Sequence, residues 1–345
     1  MIPRLPFSLK HVLRVCRWPL CLLVAVVMAA QGVEAFTVQL DYSYDTSGFF
    51  NDPKRRACLQ KAAAVFERRI QNLIPAIIPS GNNTWSLGFP NPATGEHVSL
   101  LNPTIPGNTI RIYVGARDIG GLVGYAEYGY SWNGFGSWIT LFNNRDNAKQ
   151  FQSVGGSIVF NDRSGWYFDD DPATLEPFDG FDFYSVAQHE IAHLLGFGTC
   201  SAFTTRTDGG NFVGANAVAF YGGPVPLGDS AHLAQGLYYR HQYSDMAPAF
   251  SGGLRTAFSE LDFAVLRDLG WHIAVIPTVQ LTQIALTGDR TTLRWQDGIG
   301  PFRVEATDDL DAPAWHDVTA DLPNRAITID TQTAHQFFRI TDLAQ

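Results

Sequence analysis

The sequence predicts an α+β fold in two parts: a domain of mixed sheet and helices at residues 36–275, followed by a small all-β module at residues 276–345. Up to about residue 275, segments whose apolar residues recur with helical spacing alternate with strand-like segments. From about Ile276, short strands are separated by Gly, Asp, Pro and Asn turns, which is typical of a β-sandwich. A chain of 345 residues is long enough for both parts.

Residues 1–35 have the features of a secretory signal peptide. Four basic residues up to Arg17 precede the uncharged apolar run Leu20 to Ala30, and small residues surround a cleavage position at Val33-Glu34-Ala35. The apolar run is short for a bilayer span, and an uncleaved N-terminal anchor is the alternative interpretation. We therefore expect a secreted or periplasmic protein with no stable membrane insertion after cleavage.

The charge of the mature chain bears on its partners. Removal of the signal leaves 20 of the 24 basic residues and 32 of the 33 acidic ones, a formal charge of −12. Such a surface repels nucleic acid and anionic lipid, so we expect neither as a partner. The oligomeric state stays open.

Two cysteines, Cys58 and Cys200, remain after signal cleavage. In an oxidising compartment they can form one disulfide. The other interpretations of Cys58 are a buried helix cysteine or a thiol that blocks a metal.

The N-terminal elements of the mature chain follow in order. Phe36 to Tyr44 alternates apolar and polar residues and predicts a strand. Asn51-Asp52-Pro53 supplies a cap and a first-turn proline for a helix that is predicted to run to about Ile74. Residues 75–108 are rich in Pro, Gly and Asn, which indicates loop with one short hairpin.

The middle of the chain predicts further strands. Thr109 to Ala116 is typical of a buried strand, residues 120–138 of irregular loop and edge, and Ser157 to Asn161 of another strand. The acidic run Asp169-Asp170-Asp171 predicts a solvated turn, with a calcium site as the alternative, because hard oxygen ligands suit that ion.

A helix is predicted next, from the N-cap Asp182 to the C-cap Gly196. Its apolar back face consists of Val186, Ala187, Ile191, Leu194 and Leu195.

This helix carries the pentapeptide His189-Glu190-Ile191-Ala192-His193, an H-E-x-x-H motif. Residues four apart share one helix face, so His189 and His193 can bind one metal ion. Glu190 projects beside them, where its carboxylate can take a proton from a water molecule at the metal. The pattern predicts a catalytic zinc site, and two histidines on an ordinary core helix are the alternative.

After the motif, residues 198–258 are rich in loops and glycines. Ser259 then caps a second helix, Glu260 to Leu269, which ends at Gly270 and Trp271. Four strands are predicted in the C-terminal module, which we expect to be a fibronectin III-like sandwich: residues 291–295, 302–306, 326–329 and 337–340.

The third zinc ligand is less evident. The metzincin pattern H-E-x-x-H-x-x-G-x-x-H fits through Gly196 but places Thr199 at its last position, and a neutral hydroxyl is a poor zinc ligand. A thermolysin-like site needs a downstream glutamate, and Glu260 is the first one after the motif. The remaining candidates for the third ligand are His232, His241, Asp208, Asp229 and Asp245.

Residues 182–272 resemble leishmanolysin-like metallopeptidases and secreted bacterial metalloproteases of related layout. The likeness comes from the H-E-x-x-H-x-x-G start, an insertion before Ala231-His232-Leu233, the segment Asp245-Met246-Ala247-Pro248 and the helix that ends in Leu-Arg-Asp-Leu-Gly-Trp. It implies that His189, His193 and His232 bind Zn²⁺, that Glu190 is the base and that Met246 forms the floor under the metal. Tyr243 is a candidate for stabilising an oxyanion.

The sequence thus predicts a secreted zinc endopeptidase that acts on a protein or peptide substrate. One alternative is a non-catalytic secreted binding or adhesion protein with a structural zinc site, because a β-sandwich serves many binding roles. The other is a zinc hydrolase that acts on a small amide or ester.

Overall fold

The computed structural model describes residues 35–170, 172, 177–239, 242–275, 279–296, 298, 302–310, 314–319, 322, 325–330 and 336–342. The expected signal peptide, apart from Ala35, lies outside these residues, as do His241 and Asp171. The fold is mixed α+β with several sheets, as the sequence predicts at that level. Across the described ranges, no helix is long and apolar enough to cross a membrane.

The regular elements have the following bounds. A 3-10 turn at Phe49–Asn51 precedes α1 (Pro53–Arg69), and the later helices are α2 (Ser137–Asn143), α3 (Phe183–Leu194), α4 (Ser201–Thr204), α5 (Ala215–Tyr221) and α6 (Glu260–Asp268). The strands up to residue 275 are β1 (Thr37–Asp41), β2 (Thr84–Pro90), β3 (His97–Leu101), β4 (Thr109–Arg117), β5 (Gly124–Glu127), β6 (Gly129–Asn133), β7 (Gly155–Asn161), β8 (Trp166–Tyr167), β9 (Phe181–Asp182), β10 (Thr207–Asp208), β11 (Asn211–Phe212), β12 (Val225–Pro226), β13 (Tyr238–Tyr239) and β14 (Gln242–Tyr243). The C-terminal strands are β15 (Gln280–Thr287), β16 (Arg290–Gln296), β17 (Phe302–Thr307), β18 (His316–Asp317), β19 (Ala326–Asp330) and β20 (Phe337–Asp342).

The sheet that positions the site has the strand order β1-β4-β7-β5. β1, β4 and β7 are parallel, with Thr37 opposite Thr109 and Arg111 opposite Gly155. β5 is antiparallel to β7, with Gly124 opposite Phe160. Every residue of β7 is buried, as expected for a strand that is covered on both faces. The sheet therefore ends in an antiparallel strand, β5.

Helices α1 and α3 share a hydrophobic core with one face of this sheet. Asp52 caps α1 by accepting a hydrogen bond from the Lys54 amide at 2.8 Å, as the sequence predicts. The prediction that this helix runs to about Ile74 is wrong, because α1 ends at Arg69. Ile70 is extended and pairs with Ile273, so a tertiary contact replaces the last helical turn.

A second sheet, in the order β3-β2-β6, and helix α2 form a separate core on the opposite face. Tyr113 of β4 reaches this core and stacks on Phe89 with ring centroids 4.5 Å apart. The hairpin expected within residues 75–108 is the β2–β3 pair. The prediction of irregular loop and edge at residues 120–138 is wrong in part. β5 and β6 lie there, because pairing with β7 and β2 orders a stretch whose own polarity does not alternate regularly.

The described part of the segment from residue 198 to 258 contains only short elements, namely α4, α5 and β10 to β14, and helix α6 follows it. Ser259 caps α6 in a reciprocal capping box with Asp262, and Gly270 adopts the left-handed conformation (φ 93°) after the helix. The indole nitrogen of Trp271 donates to the Leu195 carbonyl at 2.8 Å. The ends of α6 and α3 are therefore bonded to each other.

The C-terminal strands form two three-stranded antiparallel sheets, β15-β16-β19 and β18-β17-β20. Leu293, Trp295, Phe302 and Val304 form a small buried core between strands of both sheets. All four strands predicted in this region are present. A domain boundary at residue 275 and a fibronectin III-like topology stay predictions.

The two cysteines are free and buried. Cys58 lies on α1, as the interpretation of a buried helix cysteine requires, and Cys200 directly precedes α4. The disulfide that the sequence allows is therefore not formed in this structure. Burial raises the pKa of each thiol to about 12, so neither thiol is a reactive thiolate at neutral pH.

Candidate metal centre

Helix α3 carries the motif, and buried groups fix its first turn. Asp182 accepts hydrogen bonds from the amide and hydroxyl of Ser185 at 3.2 and 2.6 Å. Arg255 donates to both oxygens of the Asp182 carboxylate at 3.0 and 3.1 Å and pairs with Asp169 at 2.6 Å. The start of α3 is thereby tied to the chain that follows residue 246. The motif side chains then project from a helix whose position is set at both ends.

The turn after α3 explains why Thr199 is not a ligand. Gly196 has φ 96°, and a Cβ there would lie 2.5 Å from the ring of Phe151. Only glycine allows the chain to reverse so close to its neighbour. The hydroxyl of Thr199 then donates to the His193 carbonyl at 2.7 Å. Thr199 caps the helix end instead of binding a metal.

His232 comes from a loop within the insertion between α3 and α6. Leu227 and Leu233 pair across this loop, and the Gly228 amide donates to the His232 carbonyl at 2.9 Å. The Asp229 carboxylate accepts hydrogen bonds from the amides of Ala231 and His232 at 2.7 and 2.9 Å. These bonds shape a tight loop with the imidazole at its tip.

The three histidines lie close enough to bind one metal ion. The Nε2 atom of His193 lies 3.0 Å from that of His189 and 3.2 Å from that of His232. All three ligand atoms lie within 4.8 Å of one another, and within the described ranges no other group of three such side chains is brought together in this way. Of the five candidates for the third ligand, the structure therefore brings His232 to the motif.

The second nitrogen of each ring explains how the three Nε2 atoms are presented. Each Nδ1 atom faces an oxygen that can only accept, so each Nδ1 carries the hydrogen. The acceptors are the carbonyl oxygens of Asp245 and Phe197 and the carboxylate of Asp229, at 2.8, 2.8 and 2.9 Å from His189, His193 and His232 respectively. In neutral rings with this tautomer the Nε2 lone pairs face one another, an arrangement that a cation between them would stabilise.

Burial keeps the rings of His189 and His193 in the neutral form that a metal requires. Burial, followed by the proximity of His193, lowers the pKa of His189 well below its usual value. Burial lowers the pKa of His193 to about 4. For Asp229, burial alone would raise the pKa, but hydrogen bonds from the Ala231 amide and the His232 side chain outweigh it and hold the pKa low. A carboxylate therefore faces the outer nitrogen of the third ligand.

Glu190 lies beside the triad and is only 4% exposed. Burial raises the pKa of its carboxyl group to about 8. A divalent cation nearby would favour the ionised form and lower this pKa again. A Cβ on Gly124 of β5 would lie 2.5 Å from Oε1 of Glu190, so the edge strand and the carboxylate are in close contact. Only a residue without a side chain leaves this space to Glu190.

The chain around Met246 connects the ligands to one another. The Asp245 carbonyl accepts from His189, and the Met246 carbonyl accepts from the Leu233 amide at 2.8 Å. The Asp262 carboxylate holds this segment by accepting from the Asp245 amide at 3.1 Å. Met246 itself is fully buried. Its role as the floor under a metal stays a prediction.

The other residues considered as the third ligand either contact different groups, are exposed, or lie outside the described residues. Glu260 forms a bidentate ion pair with Arg69 at 2.6 and 3.0 Å. Asp245 accepts from the Thr256 hydroxyl, and burial raises the pKa of Asp245 well above its usual value. Asp208 is exposed on β10, and His241 lies outside the described residues.

Two further predicted sites are placed as follows. Tyr243 is 45% exposed and contacts the ring of Tyr238 at a centroid distance of 4.7 Å, so its role at an oxyanion stays a prediction. Of the acidic run proposed as a calcium site, Asp169 pairs with Arg255 and Asp170 pairs with Lys54 at 3.0 Å. Both described carboxylates of that run are therefore engaged by basic side chains.

The sequence interpretation missed two residues that organise this site, Gly124 and Asp262, and treated a third, Asp229, as a ligand candidate instead of a partner of His232. The spacing of Asp229 and His232, three apart, would have indicated a carboxylate–histidine pair instead of two rival ligands. Gly124 and Asp262 gave no local signal, because their partners lie far away in the sequence.

Comparison with protein-family models, with curated proteins and with solved structures finds no match to this chain. Its own residues are therefore the basis for assigning a function. The fold and the site define a class: an α+β protein in which one helix and the loop that carries His232 bring three histidines close enough to bind one metal ion.

Proposed function

We propose that this chain is a secreted zinc endopeptidase of the metzincin type, with His189, His193 and His232 as zinc ligands and Glu190 as the general base. The observation that carries this proposal is the convergence of three imidazole Nε2 atoms beside a buried carboxylate. In the described part of the chain the cluster offers three protein ligands. A catalytic zinc site has this number, which leaves one position for water.

The spacing and the type of the ligands support zinc. With zinc–nitrogen bonds of about 2.0–2.1 Å in a tetrahedral site, two ligand nitrogens lie about 3.3 Å apart. The two distances from His193, 3.0 and 3.2 Å, are close to this value. Imidazole also suits zinc, whereas calcium and magnesium prefer oxygen ligands.

The chain's own groups then have defined roles. Zinc, when bound, would supply the Lewis acid that acidifies water and polarises a carbonyl group. Glu190 would accept a proton from the attacking water at a carboxylate oxygen and return it to the departing amine nitrogen. Asp229 would orient His232 through the hydrogen bond to its Nδ1 atom, as carboxylates do next to histidine ligands. The buried surroundings of Glu190 limit competition from bulk water.

The edge strand β5 supports a peptide substrate over a small amide or ester. Within the described residues, the outer edge of β5 has no neighbouring strand. An extended peptide can pair with such an edge through its backbone. Since Gly124 of β5 is in contact with Glu190, a peptide bound along β5 would pass the base. A small amide would make no use of this strand.

The alternative function is a non-catalytic binding protein with a structural zinc site. Structural sites are usually closed by four protein ligands and have no need of a buried carboxylate beside them. Three described ligands and the buried Glu190 therefore favour catalysis. Secretion through residues 1–35, and a C-terminal module at residues 276–345 that spaces or docks the enzyme, complete the proposal.

The test compares the zinc-loaded protein with its Glu190→Ala and Glu190→Gln variants on an unfolded protein substrate. We expect cleavage by the wild type, a loss of at least about 10³-fold in both variants, and unchanged zinc content, because Glu190 is not a ligand. Wild-type activity in either variant would refute the role of Glu190. No cleavage by folded, zinc-loaded wild type would favour the binding protein.

A further inference from the structure

A cavity of about 430 Å³ lies on the side of the His232 loop that carries Asp229. Its walls come from β10 and the turn that follows it (207–210), from the loop 227–230 and from Thr204. Residues 227–230 belong to the same tight loop that ends in His232, whose carbonyl accepts from the Gly228 amide. Residues 227–230, which line the cavity, and His232, which belongs to the histidine cluster, therefore lie on one short loop.

The charge of the cavity is negative. Asp208 and Asp229 are among its lining residues, and no lysine or arginine lines it within the described part of the chain. The neighbouring Arg206 is turned away, because its guanidinium donates to the carbonyls of Ala148, Ala202 and Lys149. Within the described residues, no cation or hydrogen-bond donor reduces the negative charge of this wall at Asp208.

The carboxylates of Asp229 and Asp208 differ in the hydrogen-bond donors that contact them. Asp229 is occupied by the amides of Ala231 and His232 and by the His232 ring. In the described part of the chain no donor bonds to the Asp208 carboxylate, which makes it the group that is available to a ligand. A Cβ added at Gly209 or at Gly210 would have nothing within 4 Å, so the space in front of Asp208 is open.

We propose that this cavity binds a lysine or arginine side chain of the polypeptide substrate, with Asp208 as the residue that selects it. The inference rests on the proposed function, because it places the cavity next to the site of cleavage. A long, singly charged side chain fits an open cavity with one available carboxylate. A calcium ion would instead need six to eight oxygen ligands. The specificity of the enzyme would then favour basic residues close to the scissile bond.

Binding to the Glu190→Ala variant tests this without any need for turnover. The probes are short peptides that carry no charge except a single lysine, whose position is varied. Each has norleucine and glutamate counterparts of equal length. We expect the lysine peptide to bind about fivefold more tightly than its counterpart at one position, the size typical of a partly exposed ion pair. Introducing Asp208→Asn into this variant should abolish the preference. Asp208→Lys should reverse it in favour of glutamate peptides.

The control is Glu96→Gln, which removes an exposed carboxylate in the turn between β2 and β3 and should leave the preference unchanged. Equal affinity for every lysine and norleucine pair would overturn the inference, as would a preference that survives Asp208→Asn. Neither result touches the cleavage test with Glu190 variants, so the two failures are distinguishable. A lysine preference in a protein that cleaves nothing would support the cavity and refute the peptidase.

Discussion

Gly124→Ala is the sharpest test of Glu190 that leaves Glu190 itself intact. A Cβ at residue 124 would lie 2.5 Å from Oε1, 2.9 Å from Cγ and 3.0 Å from Cδ of Glu190. The backbone of Gly124 has an ordinary conformation for a strand, so alanine is not strained there by its φ angle. The substitution therefore acts on the carboxylate and little else.

The size of the effect follows from the contact. Ordinary van der Waals contact begins at 3.4 Å, so the carboxylate has to retreat by about 0.9 Å from its 2.5 Å position. A catalytic group misplaced by about 1 Å loses about 10² in rate. This corresponds to about 2.7 kcal/mol of transition-state stabilisation. The loss should appear in kcat, while the zinc content stays unchanged because no ligand is touched.

The assay measures kcat and KM on a fluorescent peptide, beside metal content and thermal unfolding. Gly121→Ala is the matched control, because a Cβ there has nothing within 4 Å and Gly121 has no positive φ. We expect its kcat to stay within about twofold of wild type, as for a surface substitution without a partner.

Two results would refute the reasoning. If Gly124→Ala keeps the full kcat, the position of the Glu190 carboxylate against β5 is not the catalytic one. If Gly121→Ala loses as much activity as Gly124→Ala, the effect comes from the conformation of this chain segment and not from the carboxylate.

Three further perturbations test other parts of the structure. Asp229→Asn should weaken zinc binding by about 10- to 100-fold, because the charged partner of the third histidine is lost; competition with a chelator measures this. Arg69→Met should destabilise the fold by about 2 kcal/mol in denaturant unfolding, since it removes the bidentate partner of the largely enclosed Glu260 and leaves the longer contact with Arg267 at 3.9 Å. For Glu305, hydrogen bonding from Arg339 lowers the pKa in the folded state, so stability should fall as the pH drops through the acidic range below about 4.3. Glu305→Gln should reduce this dependence, as followed by amide hydrogen exchange in β17.

Each of these has its own check. Glu96→Gln should leave zinc affinity unchanged, and an equal loss there would attribute the Asp229 effect to general charge. The double variant Arg69→Met with Glu260→Gln should be more stable than Arg69→Met alone, and additive losses would contradict the ion pair. If amide exchange in β17 has the same pH dependence in Glu305→Gln as in the wild type, the hydrogen bond between Arg339 and Glu305 does not stabilise the fold as proposed.

Some helices and strands of this fold could be predicted from the sequence, and others could not. Helices α3 and α6 begin at the predicted caps Asp182 and Ser259, because a cap and its first turn lie within a few residues of each other. The end of α1 was missed because Ile70 pairs with Ile273, a partner about two hundred residues away in the sequence. β5 and β6 were missed because a paired strand with irregular polarity has no local periodicity to read.

The residues of the candidate site also fall into two groups: those that the sequence predicts and those that only the tertiary structure brings together. The sequence by itself determined that His189, Glu190 and His193 share one helix, since a spacing of four is one turn of backbone geometry. Only the tertiary structure decided that His232 joins them, that Asp229 is its partner instead of a rival, and that Gly124 lies against the base. Those facts depend on how a loop and an edge strand pack against α3. Packing between distant segments is set by the whole core, whereas a helix and its caps are set by neighbouring residues.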